Sequence, residues 1–375
     1  MKFINLDREY SEFDWQKAIS SVFASQHFIN GPEVHLFEMA VAKYLEVNYA
    51  LGVSSGTDAI LISVMALKKI KGIENPVVLT TPYTFISTVE SPMRANASII
   101  FCDIDSSFNI NMENVKNILY STHVDIFLPV HLFGKAVELD EELLSICRKK
   151  GIFIIEDCAQ CFGARDLKNR MSGSVGDIGC FSFFPAKNIG CAGDGGLVTT
   201  NNLEIFELMK SIRSHGSRVK YEYEDMGGNF RLDTIQAAIL YAKLPLLNKH
   251  LKQRQEQAKR YHAGLLDLSR CYPITLPYAP NHTYNQYVIL VPSEDRNPLV
   301  KYLSSKNVPT MNYFPFSILD TKFAKKYGLV GDASRSASAA QQNIALPIAY
   351  PTEEETELVV NSICEYFENG IRDRS

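Results

Sequence analysis

Between residues 49 and 200 the chain alternates short apolar runs with amphipathic helical segments. The predicted strands are Tyr49 to Val53, Pro76 to Thr80, Ser98 to Cys102, Asp125 to Val130, Gly151 to Ile155, Gly179 to Phe184 and Leu197 to Thr200. Helical spacing falls among them at Ala59 to Leu67, Phe85 to Ala95, Met112 to Leu119 and Leu139 to Lys149, and again at Leu203 to Arg213. The runs are rich in Ile, Val and Phe, which is how strands covered on both faces read. This predicts an α/β fold with a mainly parallel central sheet and helices on both faces. Ligands of such sheets collect beyond the carboxyl ends of the strands, so chemistry is expected where these runs stop.

Outside that region the signals change. Trp15 to Ala24 and Val34 to Leu45 have helical spacing, Ser217 to Phe230 reads as a long loop, and Asp233 to Ala242 as an apolar helix. After Leu244-Pro245 comes a long polar helix, about Lys249 to Leu266. A strand at Tyr287 to Val291, a helix at Pro298 to Ser305, an aromatic strand at Met311 to Phe316 and a helix at Glu353 to Phe367 follow. The expected division is a large domain, 1–245, and a smaller C-terminal α+β domain, 246–375, with the N-terminal segment packing on the smaller one.

Composition narrows the class. Of 375 residues, 46% are hydrophobic and 21% charged, enough for a substantial core, and the net charge of −4 gives no reason to expect a nucleic-acid or membrane partner. The basic run Lys249 to Arg260 is diluted by Gln253, Gln255, Glu256 and Gln257 and reads as a solvated helix face. The N-terminus has acids and a base where a signal peptide needs an apolar core, and no apolar run approaches the ~20 residues of a membrane span. A cytoplasmic protein is expected. Cys158 and Cys161 form a Cys-x-x-Cys, but Cys180 and Cys191 follow at spacings of no common zinc module. They read as buried small side chains, and no metal site is expected.

The stretch Ser182 to Gly196 holds one lysine, Lys187, among apolar and small residues, with Gly190, Gly193, Gly195 and Gly196 behind it. Such surroundings strip hydration from an amine and make it nucleophilic near neutral pH, although a surface lysine at a strand corner would look similar. Two other strand ends carry polar groups. Ser54-Ser55-Gly56-Thr57-Asp58 turns a strand into a helix and offers free backbone N–H groups to a phosphate. Glu156-Asp157 and Gln160 end another strand. An amine, a carboxylate and a phosphate cradle together are what pyridoxal 5′-phosphate (PLP) needs: the lysine forms a Schiff base, and the aspartate keeps the pyridine nitrogen protonated.

The chain resembles the DegT/DnrJ-type family of nucleotide-sugar aminotransferases, fold-type I PLP enzymes, nearly end to end. The most specific stretches are Ser55-Gly56-Thr57-Asp58-Ala59, Pro129-Val130-His131-Leu132-Phe133-Gly134, Glu156-Asp157-Cys158-Ala159-Gln160, Phe181 to Gly196, and Gly228-Asn229-Phe230-Arg231-Leu232-Asp233. The resemblance implies roles for the matching positions. Lys187 is the Schiff-base lysine, Asp157 the partner of the ring nitrogen, and Gln160 a residue near the ring hydroxyl. Phe85 stacks on the ring, and Gly56, Thr57 and Ser182 bind the phosphate. Asn229 of the partner subunit completes the phosphate site, which implies a homodimer with shared active sites. Arg231 and Tyr313 are candidates for the substrate.

Two departures from the family pattern stand out: Cys158 in place of alanine, and Tyr313 in Asn312-Tyr313-Phe314-Pro315 where a histidine is common. His131 and His215, and the aromatics Tyr278, Tyr284, Tyr287 and Phe314, read as core or interface residues.

The function implied is transfer of an amino group from L-glutamate, leaving 2-oxoglutarate, to a keto-sugar nucleotide for surface glycan or lipid A synthesis. The stretch from His215 to Leu240, with Lys220-Tyr221, resembles most the enzymes that aminate C3 of 3-keto UDP-acetamido sugars, which implies the 3-keto form of a UDP-2-acetamido sugar as acceptor. Alternatives are a C3 or C4 aminotransferase on a dTDP-6-deoxy keto sugar and a non-catalytic regulatory protein on the same fold. The related sugar dehydratases replace the lysine by histidine, and here Lys187 is present.

Overall fold

The computed structural model describes residues 1–219, 221–277 and 279–368. Lys220, Tyr278 and the chain beyond 368 lie outside the described residues. Strands β1 (Tyr49–Val53), β2 (Val77–Thr80), β3 (Ser98–Phe101), β4 (Ile126–Phe127), β5 (Phe153–Asp157), β6 (Ile178–Ser182) and β7 (Gly196–Thr200) form one sheet, ordered β1-β7-β6-β5-β4-β2-β3. From β6 through β5, β4 and β2 to β3 the neighbours are parallel, while β7 runs antiparallel to β6 and β1. A parallel neighbour needs a long crossover, usually a helix. Between β6 and β7 there is no helix, only the loop that carries Lys187, so β7 must return antiparallel. The loop thereby stays at the carboxyl ends of β5 and β6.

Both faces of the sheet are covered, as the apolar runs require. Phe181 and Leu197 point into a core shared with Phe37 and Leu45 of helix Pro32–Leu45 and Leu240 of helix Thr234–Lys243. Their neighbours Cys180 and Val198 point the other way, into a core with Ile62 of helix Gly56–Lys71 and Met209 of helix Leu203–Arg213. Successive strand residues face opposite sides, so neither position tolerates a polar group.

A short turn, Leu244–Leu246, leads into the long helix Leu247–Cys271. A third core forms around Tyr261, Leu265, Tyr287, Leu299 and Ile363. Within the loop from 217 to 230, Ser217–Val219 (β8) pairs with Glu222–Tyr223 (β9) in a small hairpin. Further on, Tyr287–Leu290 (β10) pairs antiparallel with Asn343–Leu346 (β11), backed by helices Ser293–Ser305 and Glu353–Glu368. The N-terminal segment reaches this part: Ile4 bridges Ala349, and Arg8 pairs with Glu355 at 2.8 Å.

The helix predicted at Pro298 to Ser305 starts earlier, at Ser293, and three other predicted elements differ more. The strand at Asp125 to Val130 is reduced to Ile126–Phe127: Pro129 has no N–H for the ladder, although its carbonyl accepts the Asp157 N–H at 2.9 Å and Val130 still bridges Asp157 in the same register. The helix expected from Phe85 begins at Ser87, which leaves Phe85 free in the loop before it. Met311 to Phe316 is not a strand. Only Met311 bridges Ala345, and beyond it side chains replace the ladder: Asn343 Oδ1 accepts the Tyr313 N–H at 2.9 Å and the Tyr83 hydroxyl accepts the Phe314 N–H at 3.2 Å. Pro315 then has no N–H to give.

Gly196 starts β7 opposite both Val53 and Ser182. A Cβ there would lie 2.3 Å from the Ser55 carbonyl oxygen, whereas at Gly193 it would meet only the end of the Gln236 side chain, at 3.1 Å, and no backbone. Gly196→Ala should therefore cost roughly 1–3 kcal/mol, the usual penalty for overpacking a tight site. Gly193→Ala should stay within about 0.5 kcal/mol. Urea denaturation midpoints of the two variants check the difference; equal midpoints would refute the close-approach account.

Candidate active site

The carboxyl ends of β1, β2, β5 and β6 surround a cleft of about 420 Å³. At one end β1 turns into helix Gly56–Lys71, whose cap is Ser55: its hydroxyl accepts the Asp58 N–H at 3.0 Å. A Cβ on Gly56 would lie 2.8 Å from Ser182 Cβ, so only glycine lets the helix start meet the end of β6. The Thr57 hydroxyl is hydrogen-bonded to that of Ser87 at 2.7 Å. Free N–H groups of the first helical turn, together with these hydroxyls, make a seat for an anion.

Asp157, at the end of β5, is 5% exposed. Its carboxylate accepts the Thr88 hydroxyl at 2.7 Å and the Ala159 N–H at 3.1 Å, and among the described residues no cation lies within ion-pair distance. Burial pushes its carboxyl up; Thr88, Ala159 and the Lys187 charge pull the other way. A buried carboxylate with only neutral donors is costly unless a cation joins it.

Its neighbour Glu156 points to the other face and is already saturated. It accepts the N–H groups of Gly173, Val175 and Gly176 at 3.0, 2.9 and 2.7 Å, and bonds His131 Nε2 at 2.9 Å. Because His131 Nδ1 accepts the Val137 N–H at 2.8 Å, the ring proton is on Nε2 and is donated to Glu156. Burial raises the Glu156 carboxyl, but these donors outweigh it and hold it low. His131, Glu156 and Cys158 bring ligand-type atoms within 4.8 Å of one another, yet the carboxylate has spent its lone pairs on four donors. The bonded pair His131–Glu156 acts as a brace behind Asp157.

Lys187 sits in a turn closed by its own N–H to the Phe184 carbonyl at 2.9 Å and by Cys191 N–H to the Phe183 carbonyl at 2.8 Å. Gly190 lies where a Cβ would be 2.5 Å from the Pro185 carbonyl oxygen. Beneath it Lys243, 2% exposed, donates to the Gly190 carbonyl at 2.5 Å and pairs with Glu9 of helix Leu6–Tyr10. Lys187 Nζ has no hydrogen-bond partner among the described residues. Burial depresses its pKa to about 8, against the opposing pull of the Asp157 charge.

Of the residues singled out in the sequence, Gly56, Thr57, Phe85, Asp157, Gln160, Ser182, Lys187 and Tyr313 all line this cleft. Phe85 stands on the rim, 57% exposed, and the Gln160 side-chain oxygen accepts the Phe133 N–H at 2.8 Å. Asn229 and Arg231 do not line the cleft of their own chain. They flank Phe230, whose carbonyl accepts the Ser54 N–H at 2.9 Å, and Asn229 is exposed. His215 is exposed and outside the cleft. Sequence reading missed Thr88, Gln286 and Asp194, which also line it. Thr88 was within reach, lying one helical turn beyond Phe85; Gln286 had no local signal.

The geometry fits PLP: a helix-start anion seat, a buried carboxylate lacking a cation among the described residues, and an amine whose pKa burial lowers to about 8. In protein freed of cofactor, borohydride trapping of a simple aldehyde should label the Lys187 peptide. The labelling rate should rise with pH to half its plateau near pH 8, as the free base forms. An ordinary lysine, with a pKa near 10.4, would still be climbing two units higher; such a profile would contradict the buried amine.

Comparison with known proteins agrees. The model of the DegT/DnrJ/EryC1/StrS aminotransferase family matches residues 10–364. A pleiotropic regulatory protein of Geobacillus stearothermophilus is 33% identical over 97% of this chain and 98% of its own. A UDP-N-acetyl-3-dehydro-α-D-glucosamine 3-aminotransferase of Acidithiobacillus ferrooxidans is 33% identical over 79% of this chain and 78% of its own. A dTDP-3-amino-3,4,6-trideoxy-α-D-glucose transaminase of Streptomyces venezuelae is 31% identical over 98% and 96%. In structure, a DegT/DnrJ/EryC1/StrS aminotransferase from Brucella abortus superposes with a TM-score of 0.91 at 31% identity, covering 98% of this chain and 100% of that one. The chain belongs to the DegT/DnrJ/EryC1/StrS family and is a PLP-dependent nucleotide-sugar aminotransferase.

Proposed function

We propose that the protein moves the amino group of L-glutamate to the 3-keto form of a UDP-2-acetamido sugar, for a surface glycan or lipid A precursor. The observation that carries this choice is the 33% identity to the Acidithiobacillus UDP-3-keto-sugar enzyme. The near-equal identity to the Streptomyces dTDP-sugar transaminase favours a dTDP-6-deoxy keto sugar as the second reading. The Geobacillus relative's name offers a regulatory role, but a cleft that keeps both Lys187 and Asp157 supports catalysis.

Bound PLP supplies an electron sink for the bonds broken at the donor's α-carbon. The chain supplies the rest. The first turn of helix Gly56–Lys71, with Thr57 and Ser182, holds the phosphate, and Asp157 supplies the negative charge that keeps the ring nitrogen protonated. Phe85 and Gln160 fix the ring's orientation. Lys187, as a free base near pH 8, is the group that takes up and releases the protons of both half-reactions. Asp157→Asn should therefore keep the aldehyde trapping at Lys187 but lower transamination at least ~100-fold, as loss of a preorganised charge does.

The placement of Asn229 and Arg231 outside their own cleft supports a homodimer in which they serve the partner's site. So do the apolar side chains Trp15, Phe23, Phe28, Ile29, Leu36 and Met39, each more than a third exposed on helices Trp15–Ser25 and Pro32–Leu45 and the segment between them, since apolar patches mark interfaces.

Two experiments test the proposal. The pyridoxamine form, mixed with a panel of UDP- and dTDP-keto sugars, should regain the absorbance of the PLP form with the UDP-3-keto acetamido sugar. A response to none, beside turnover of simple amino-acid pairs, would sink the sugar assignment. Asn229→Ala and Lys187→Ala proteins, each inactive, should recover part of the activity when mixed and allowed to exchange subunits. Exchange without recovery would argue against shared sites.

A further inference from the structure

Gln286, just before β10, belongs to the wall of the cleft on the side of Tyr313 and Phe314. It is 7% exposed, and its side-chain oxygen has no hydrogen-bond partner among the described residues. A buried amide left in that state in a native protein calls for a partner that arrives from elsewhere.

Its backbone, by contrast, is firmly placed. The Gln286 N–H donates to the Phe133 carbonyl at 3.3 Å. Arg254, buried in the long helix, donates to the carbonyls of Tyr284 and Asn285 at 3.2 and 3.4 Å. Phe133 thus joins two carboxamides. Its N–H is taken by the Gln160 side-chain oxygen at 2.8 Å, which leaves that side chain only its NH2 group to offer the cofactor, and its carbonyl anchors Gln286, whose side-chain oxygen stays uncommitted. The same wall carries the Tyr313–Phe314 segment, held by Tyr83 and Asn343.

The charge of the cleft decides what Gln286 meets. Lys187 is the one basic side chain among the described residues that line it, and Asp157 and Asp194 are the acids. A phosphate or carboxylate gains little from a neutral amide on this wall compared with a cation. An amide that both donates and accepts suits a hydroxyl or acetamido group. We infer that Gln286 hydrogen-bonds a neutral ring substituent, hydroxyl or acetamido, of the keto-sugar acceptor and so helps to set sugar specificity. This rests on the sugar-aminotransferase reading.

The test separates the two half-reactions. In Gln286→Leu and in the near-isosteric Gln286→Met, conversion of the PLP form by L-glutamate should stay within about twofold of wild type, and the cofactor's absorbance maximum should not move. The kcat/KM for the keto-sugar nucleotide should fall about tenfold, as loss of a hydrogen bond from a site built to make one predicts. Calorimetric Kd values for the unreactive alcohol form of that nucleotide sugar should weaken in parallel. If both variants bind and use the sugar as wild type does, or if both half-reactions fall together, Gln286 has no such contact. If wild-type protein accepts no keto sugar at all, the sugar reading itself fails and this inference falls with it.

Discussion

Everything in the cleft depends on one close approach of backbone. The start of helix Gly56–Lys71, the end of β6 and the start of β7 converge where Gly56 faces Ser182 and Gly196 faces the Ser55 carbonyl, with no room for a Cβ at either glycine. Because β7 follows β6 without a crossover helix, its antiparallel return keeps the Lys187 loop beside the phosphate-type seat. The glycines therefore act through absence: each missing methyl lets a functional strand end reach the next.

On that frame the electrostatics are arranged in opposition. Burial raises the carboxyl of Asp157 and depresses the amine of Lys187, and among the described residues neither charge has an opposite charge within ion-pair distance. Glu156, one residue away on the opposite face, is the reverse case. Four donors satisfy it, and it works as a strut. A carboxylate in adjacent positions thus serves chemistry in one and architecture in the other, and the difference lies in which face of the strand it leaves from.

Support also comes from beyond the sheet. Lys243 holds the turn of Lys187 through the Gly190 carbonyl and is balanced by Glu9 from the first helix. Removing one member of such a buried pair leaves the other uncompensated, so the N-terminal helix is part of the active-site scaffold. On the far wall, Tyr83 and Asn343 hold the Tyr313–Phe314 segment by side-chain bonds. That is why an aromatic run resembling a strand does not become one.

The sequence by itself determined the sheet, because strands covered on both faces must be apolar throughout, and it marked Gly56, Asp157, Ser182 and Lys187, because strand ends are where an α/β fold can place polar groups. Only the tertiary structure decided which neighbours share those ends. Thr88 bonds Asp157 across 69 positions of the chain, Gln286 reaches the cleft through Phe133, and His131 turns away to brace Glu156. Such pairings depend on distances between segments remote in sequence, and no local periodicity encodes them. The same reason separates Asn229 and Arg231 from the cleft: their motif is legible in the chain, but where their side chains work depends on packing that a single stretch of residues does not specify.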